Sequence, residues 1–539
     1  MLNRVLRLLR PSHEHTEFSA TVLLMSAIML SRVIGYVREA YIAWAFGAGL
    51  QTDAYVAGFT IPDWLNYIVS GGTASITFVS IYTRFLAEGK QKDAEKTFSV
   101  IITIMTVVLG FGVVLAEIFT PQMTRYFFSG FTAEQVVLCV HLTRILLPAQ
   151  IFFYVGGVVS AVLLSRRLFL FPALGPLLYN ACIILGGVLL SKPLGISSLA
   201  YGALIGSILG PFLINAIGAA RIGTGYRISF AMRNPAFLEW VRLTIPLALG
   251  VSLVSADDWI LRHFASNGVG EITRLNYAKR LFAVPMAILG QAAGQASLPF
   301  FARLFGEKRL REFAATVSGS VYRISAASIL TSSLMMVTAL PLIDLVYRRG
   351  RFQFSDSQAT AVYFFWFSLS LAFWSAQALY ARAFYAAGNT LTPMVASTIV
   401  TVASLPVYSA LYRGLSTVGL AIASDIGIVA NTIVLAGLLH RRRLIPVDEL
   451  QWGELGKALL TAIVAGVLAQ RVASLVAPGS RTADVAAFSL AAVTWAATIA
   501  LGLWLTRSRL LSDLRRRKQI PYPAVASAQA EETTRGIEP

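Results

Sequence analysis

The sequence is poor in charge, in acids and in sulfur. Only 13% of its 539 residues are charged, about half the share of an ordinary soluble domain. It has two cysteines, Cys139 and Cys182, and both lie in apolar runs. That leaves no disulfide framework and no cysteine metal cluster. Its five histidines, His13, His15, His141, His263 and His440, include no pair at helical i, i+4 spacing. No Walker-type phosphate loop occurs, which argues against ATP hydrolysis by this chain. Acids number 27 against 45 basic residues, and none form a paired arrangement in a sizeable loop. We therefore expect no catalytic residue, no metal and no cofactor. No cleavable leader is evident either: the first long apolar stretch carries Arg32 and continues as a helix pattern without a small-residue cleavage site.

Apolar residues, by contrast, are abundant. They make up 56% of the chain, and the mean hydropathy is +0.67. Runs of about 20 apolar residues recur, the length that crosses about 30 Å of hydrocarbon. The expected class is an all-α integral membrane protein with about fourteen transmembrane helices. They fall at roughly 18–38, 53–82, 97–119, 135–163, 170–190, 196–219, 238–262, 274–302, 313–345, 358–385, 391–411, 417–439, 456–476 and 484–506. Pro62, Pro148, Pro285 and Pro341 predict bends, because proline removes a backbone donor and crowds the preceding turn.

The net charge of +18 would suggest nucleic acid in a soluble protein. Here the basic residues fall in alternate loops, so they are read as topology signals and no nucleic-acid partner is expected. Arg4, Arg7 and Arg10 begin the set, Arg84, Lys90, Lys92 and Lys96 continue it, and Arg441, Arg442 and Arg443 stand near its end. The opposite loops are poor in basic residues, apart from Arg348, Arg349 and Arg351. Both termini are thus expected in the cytoplasm, with a polar, disordered tail after Lys518.

An internal repeat organises the chain. Pro62 and Pro285 lie in similar segments 223 positions apart, and Pro121 and Pro341 are 220 apart. Pro172 and Pro393 are 221 apart, and GISSLAYG at Gly195 resembles GLSTVGLA at Gly414, 219 on. Six helices per repeat give both halves one orientation. The expected form is two six-helix lobes, related by a pseudo-twofold axis along the membrane normal and facing a central cavity. The expected layout is a cytoplasmic segment at 1–17, an N-lobe at 18–222, a C-lobe at 223–440, two further helices within 441–506, and a basic then disordered tail at 507–539.

Charges inside the apolar runs are the candidate functional residues. Arg32 and Arg38 lie on the first helix, about 120° apart around it. Lys279 and Arg280 lie on the eighth, and Arg144 and Arg382 lie in others. An arginine at mid-membrane costs at least about 2.5–3.5 kcal/mol on insertion scales. Several of them call for water, a partner or an anionic ligand, and the planar guanidinium suits phosphate oxygens. The plainer alternatives are snorkelling or pairing with Glu39, Asp53 or Asp63, and they are favoured for Arg144 and Arg382. Asp257, Asp258 and Asp425 are candidates for ion coupling. For Asp257 and Asp258 the alternative is pairing with Arg262 or His263.

Three blocks carry a family resemblance: SRVIGYVREAYIAWAFGAGLQTDAYVAGFTIPDWL, NYAKRLFAVPMAILGQAAGQASLP and ALYARAFYAAGNTLTP. Together they resemble the MurJ (MviN) family of lipid II flippases, within the superfamily of multidrug, oligosaccharidyl-lipid and polysaccharide exporters. The resemblance runs nearly the whole chain. It implies a monomeric inner-membrane flippase, surrounded by membrane lipids, that moves an undecaprenyl-diphosphate-linked peptidoglycan precursor outward by alternating access. It places Arg32, Arg38, Ser31, Asp53 and Arg280 at the substrate site. Two positions depart from the family pattern: Asn66 stands where arginine is common, and Lys279 where an acid is common. Both are kept as candidate substrate contacts. The competing readings are a flippase for another polyprenyl-diphosphate-linked oligosaccharide, a small-molecule antiporter of the superfamily, and a membrane-embedded glycosyltransferase. A cation–drug antiporter wants an apolar or acidic cavity, and a glycosyltransferase wants a sizeable extramembrane catalytic region.

Overall fold

The computed structural model describes residues 17–70, 73–166, 168–248, 253–446, 450–476 and 480–510. The basic N-terminal residues, and the tail beyond residue 510, lie outside the described residues. Among those described, every regular element is helical. They are α1 (Glu17–Phe46), α2 (Leu50–Gly58), α3 (Thr60–Ser70), α4 (Thr73–Ala87), α5 (Gln91–Phe127), α6 (Ala133–Leu146), α7 (Ala149–Ser165), α8 (Leu170–Leu194) and α9 (Ser197–Arg221). There follow α10 (Pro235–Ala248), α11 (Leu253–Ala265), α12 (Glu271–Gly306), α13 (Leu310–Val337), α14 (Ala339–Tyr347) and α15 (Phe354–Leu369). The last four are α16 (Leu371–Ala386), α17 (Leu391–Arg441), α18 (Trp452–Ala473) and α19 (Arg481–Leu505).

Among the described residues helix occupies each of the fourteen expected ranges, but only nine spans, α6 and α7 together being one, are long and apolar enough to cross a membrane. Counting α15 and α16 as one bent span, with 44° between them, makes ten. The shortfall has local causes. Phe59 interrupts the expected second span, and residues 71–72 of that span and 249–252 of the seventh lie outside the described residues. The eleventh and twelfth run together as α17, across non-helical backbone at Ser416.

The breaks cluster near the prolines. Phe59 interrupts the helix three residues before Pro62, Pro148 caps α7, and Thr338 separates α13 from α14 three residues before Pro341. Pro285 is followed by a π-helical turn at Ala287–Ala292. A proline ring displaces the carbonyl one turn earlier, which is where the helices part before Pro62 and Pro341.

α8 and α9 form a tight hairpin. Gly202, Gly206 and Gly210 recur every fourth residue on one face of α9. A Cβ at these positions would lie 2.7 Å, 2.9 Å and 2.4 Å from carbonyl oxygens of Cys182, Tyr179 and Gly175 on α8. Small residues at this spacing let two backbones touch, which is how helices associate where lipid removes the hydrophobic drive. The turn between them places Gly195 at φ 55°, ψ −137°. Ser416 has nearly the same angles, φ 53° and ψ −140°, inside α17. The repeat therefore aligns at an offset of 221 here, in step with Pro172 and Pro393, and not at 219.

α1 to α9 pack mainly among themselves, as do α11 to α17, while α18 and α19 pack on each other and on α13 and α14. α10 was expected to open the second lobe, yet it buries Phe237 and Trp240 against Phe78, Tyr82 and Phe98 of the first. Outward faces are apolar: Phe111, Leu189, Ile399, Leu460 and Val493 are all more than half exposed. An apolar exterior of this extent is the surface of a protein solvated by lipid.

Candidate functional site: the charged seam between the two helix groups

At one end of the molecule the two groups are joined by hydrogen bonds. Asp53, in the first turn of α2, is fully buried. It accepts from the Gly270 N–H at 2.5 Å and from the Thr273 N–H and hydroxyl at 2.9 Å and 2.7 Å. The carboxylate thus caps the start of α12, more than 200 residues away in sequence. A carboxylate there satisfies orphan donors and meets the positive end of the helix dipole. Nearby, the Arg351 N–H donates to the Trp44 carbonyl at 3.0 Å, and His263 Nδ1 lies 2.6 Å from the Phe127 carbonyl. Arg262 reaches Thr60 at 3.0 Å and Asp63 at 3.4 Å. The rings of Trp64 and Trp259 meet edge to face at 5.3 Å.

Further along the seam lie the arginines. Arg38 donates to Asn180 at 2.9 Å and is paired with the buried carboxylate of Glu39. The same Glu39 oxygen stands 3.8 Å from Arg280. The Tyr36 hydroxyl donates to the Arg280 carbonyl at 3.0 Å, tying α1 to α12. Arg32, one turn before Tyr36 on the same helix face, is exposed and makes no ion pair among the described residues. Arg280 is 52% exposed. Ser31 is half-buried beside Arg32. The five expected contacts thus divide: Arg32 and Arg280 remain open, Ser31 is part-covered, Arg38 is consumed by Glu39 and Asn180, and Asp53 is sealed.

The two positions that depart from the family pattern have structural partners. Asn66 donates to Gln150 at 2.8 Å, within the first helix group. Lys279 donates to Asp257 at 2.5 Å and to Asp258. Asp257 also accepts from Tyr408 and, at 2.9 Å, from Ser424. Asp258 therefore pairs with Lys279, whereas Arg262 is held by Asp63. Asp425, next to Ser424 on α17, is 7% exposed, and among the described residues no donor meets the hydrogen-bond geometry at either of its oxygens.

A second feature leaves no mark in the sequence: a groove of ≈ 1370 Å³ between α13, α15, α16, α17 and α18. Met336, Phe365, Leu369, Phe373, Leu459 and Val467 line it, and Gln470 and Arg471 stand at one end. Its residues resemble any lipid-facing residue in type, so no signal separates them in the sequence.

Comparison with known proteins joins these features. Residues 42–485 match the family model described as lipid II flippase MurJ. The chain is 27% identical over 444 residues to the lipid II flippase MurJ of Burkholderia cenocepacia, covering 79% of this chain and 84% of that one. It is 26% identical over 437 residues to the probable lipid II flippase MurJ of Vibrio cholerae, covering 78% and 82%. In fold it is similar to a lipid II flippase MurJ solved in an inward closed conformation, with a TM-score of 0.75, 21% identity, and coverage of 89% of this chain and 99% of that one. A multidrug resistance MATE family transporter in an inward-facing conformation matches with a TM-score of 0.62 at 17% identity, covering 78% and 98%. With the matched region spanning most of its length and its fold shared, this chain belongs to the lipid II flippase MurJ family.

Proposed function

We propose that the chain moves lipid II, an undecaprenyl-diphosphate-linked peptidoglycan precursor, from the inner to the outer leaflet of the cytoplasmic membrane. It does so as a carrier that alternates access and does not alter its cargo. The observation that carries this reading is the sorting of charge along the seam. Four acids neutralise most of its cations, and Arg32 and Arg280 are left exposed on adjoining helices. A pair of open guanidiniums suits a diphosphate, whose oxygens accept the parallel N–H groups of each fork. The apolar groove offers a place for a polyprenyl tail while the headgroup crosses in the seam.

In this reading fourteen helices span the membrane, both termini are cytoplasmic, and the protein works as a monomer. The end joined by Asp53 is then periplasmic and closed. Arg38, Asp53, Asn66 and Lys279 support the site from behind, and Ser31 borders it. Of the three candidate acids, Asp257 and Asp258 are compensated by Lys279, which leaves Asp425 as the group available for ion coupling.

Complementation of a strain depleted of its lipid II flippase tests the cargo. Growth is expected with the wild-type chain and not with Arg32→Ala or Arg280→Ala, all three being present in the membrane. Failure of the inserted wild-type chain, with transport of another polyprenyl-diphosphate glycan in proteoliposomes, would reassign the cargo. Full growth with Arg32→Ala would remove that residue from the site.

A further inference from the structure

Between α9 and α10 the chain leaves a turn at 222–223, runs without helix over residues 224–231 along the start of α5, and turns again at 232–233. The Arg227 N–H donates to Ser99 and the Ser229 N–H donates to Thr103, each at 3.2 Å. Two residues of extended chain advance about 6.6 Å, and one helical turn from Ser99 to Thr103 advances about 6 Å, so the strand climbs in step with α5. Tyr226 rests its ring edge on Phe98, with its hydroxyl 3.2 Å from Thr103.

Every second side chain from Tyr226 is large, apolar and exposed: Tyr226 at 49%, Ile228 at 74%, Phe230 at 60% and Met232 at 58%. Period two sets Tyr226, Ile228 and Phe230 on one side of an extended segment, and Met232 follows in the turn that leads to α10. Arg227 and Arg233 beside it are exposed and have no acidic partner among the described residues.

The depth of this row can be read from α5. Lys96 is its last charged residue before an uncharged stretch, 97–116, that ends at Glu117. That length matches the hydrocarbon thickness. Thr103 stands seven residues past Lys96, about 10 Å along the axis. An apolar row fastened there, flanked by unpaired arginines, has the chemistry of the boundary between headgroups and acyl chains. The hydroxyls of Ser99 and Thr103 also supply the acceptors that an extended backbone lacks at such depth.

We propose that residues 224–233 form a lipid-docking strap. Ile228, Phe230 and Met232 enter the leaflet at the charged start of α5, and Arg227 and Arg233 bind the phosphates of anionic phospholipids. The strap leads from α9 into α10, which packs on α4 and α5, so it anchors the first helix group to that leaflet. Nothing in this depends on which cargo is carried.

The test is depth measurement by spin label on the full chain in vesicles of phosphatidylethanolamine and phosphatidylglycerol. Nitroxides are placed singly at Ile228→Cys, Phe230→Cys and Met232→Cys, with Lys90→Cys in an exposed loop as the aqueous control and Cys182→Ser as background. We expect the strap labels to collide with oxygen and to be shielded several-fold from a water-soluble nickel chelate relative to residue 90. Arg227→Glu with Arg233→Glu should raise nickel access several-fold at residue 230. Strap labels as open to nickel as residue 90 would overturn the proposal, and so would labels shielded from both reagents, which would mean a protein cover. Unchanged depth in the double arginine variant would overturn the phosphate contact. The labelled positions and both arginines are exposed, and Cys182→Ser is nearly isosteric, so size-exclusion profiles should match wild type.

Discussion

Arg32 and Lys279 both interrupt apolar helices, yet their surroundings are opposite. Lys279 is enclosed by Asp257 and Asp258, with Asp257 almost wholly buried. Removing one partner of a buried pair strands the other charge, which typically costs about 3–5 kcal/mol. Lys279→Ala should therefore lower the unfolding midpoint in detergent sharply, and adding Asp257→Asn should recover much of the loss. Arg32→Ala should leave the midpoint within about 0.5 kcal/mol of wild type while transport in proteoliposomes falls to background. An Arg32→Ala protein that unfolds early would make Arg32 a structural residue instead. The sequence marked these charges as exceptional because they break apolar runs. It did not show which were neutralised, since the partner of Arg262, Asp63, lies 199 positions away.

Among the elements, the helices and their breaks were the most legible part, because run length and proline act locally. The joint between α2 and α12 was not, since nothing near Asp53 names Gly270 or Thr273 as its donors. Asp53→Ala should cost about 0.5–2 kcal/mol as a lost cap, seen as a lower unfolding midpoint and as faster amide exchange in the first turn of α12. Exchange unchanged there would show that the cap is not what holds that turn. The repeat was visible as motif spacing, but its register at the hairpin turn needed the backbone. Ser416 holds a conformation suited to glycine, as its counterpart Gly195 does. Ser416→Gly should thus stabilise the protein by about 0.5–1 kcal/mol, whereas Gly195→Ala should destabilise it, both read from thermal melts.

Across the whole molecule, the contacts between the two helix groups gather towards the Asp53 end, and α10 lies with the first group although it follows the repeat boundary. Such an arrangement makes a direct test of rocking possible. The rings of Trp64 and Trp259 meet across this end at 5.3 Å, so Trp64→Cys with Trp259→Cys should be joined by a bifunctional methanethiosulfonate, which links two thiols through disulfides. Transport should then stop and return on reduction. Native Cys139 is buried and does not compete. Continued transport in the cross-linked protein would mean that this end does not need to part. The groove beside α18 was invisible in the sequence, because lining and lipid-facing side chains are of the same kinds. Asp53 has one more consequence, and it is kinetic. The joined end cannot separate without stripping the Gly270 and Thr273 donors of their acceptor. The dwell time of the closed state is therefore sensitive to the chemistry of one carboxylate, and it can be shortened without touching a cargo contact.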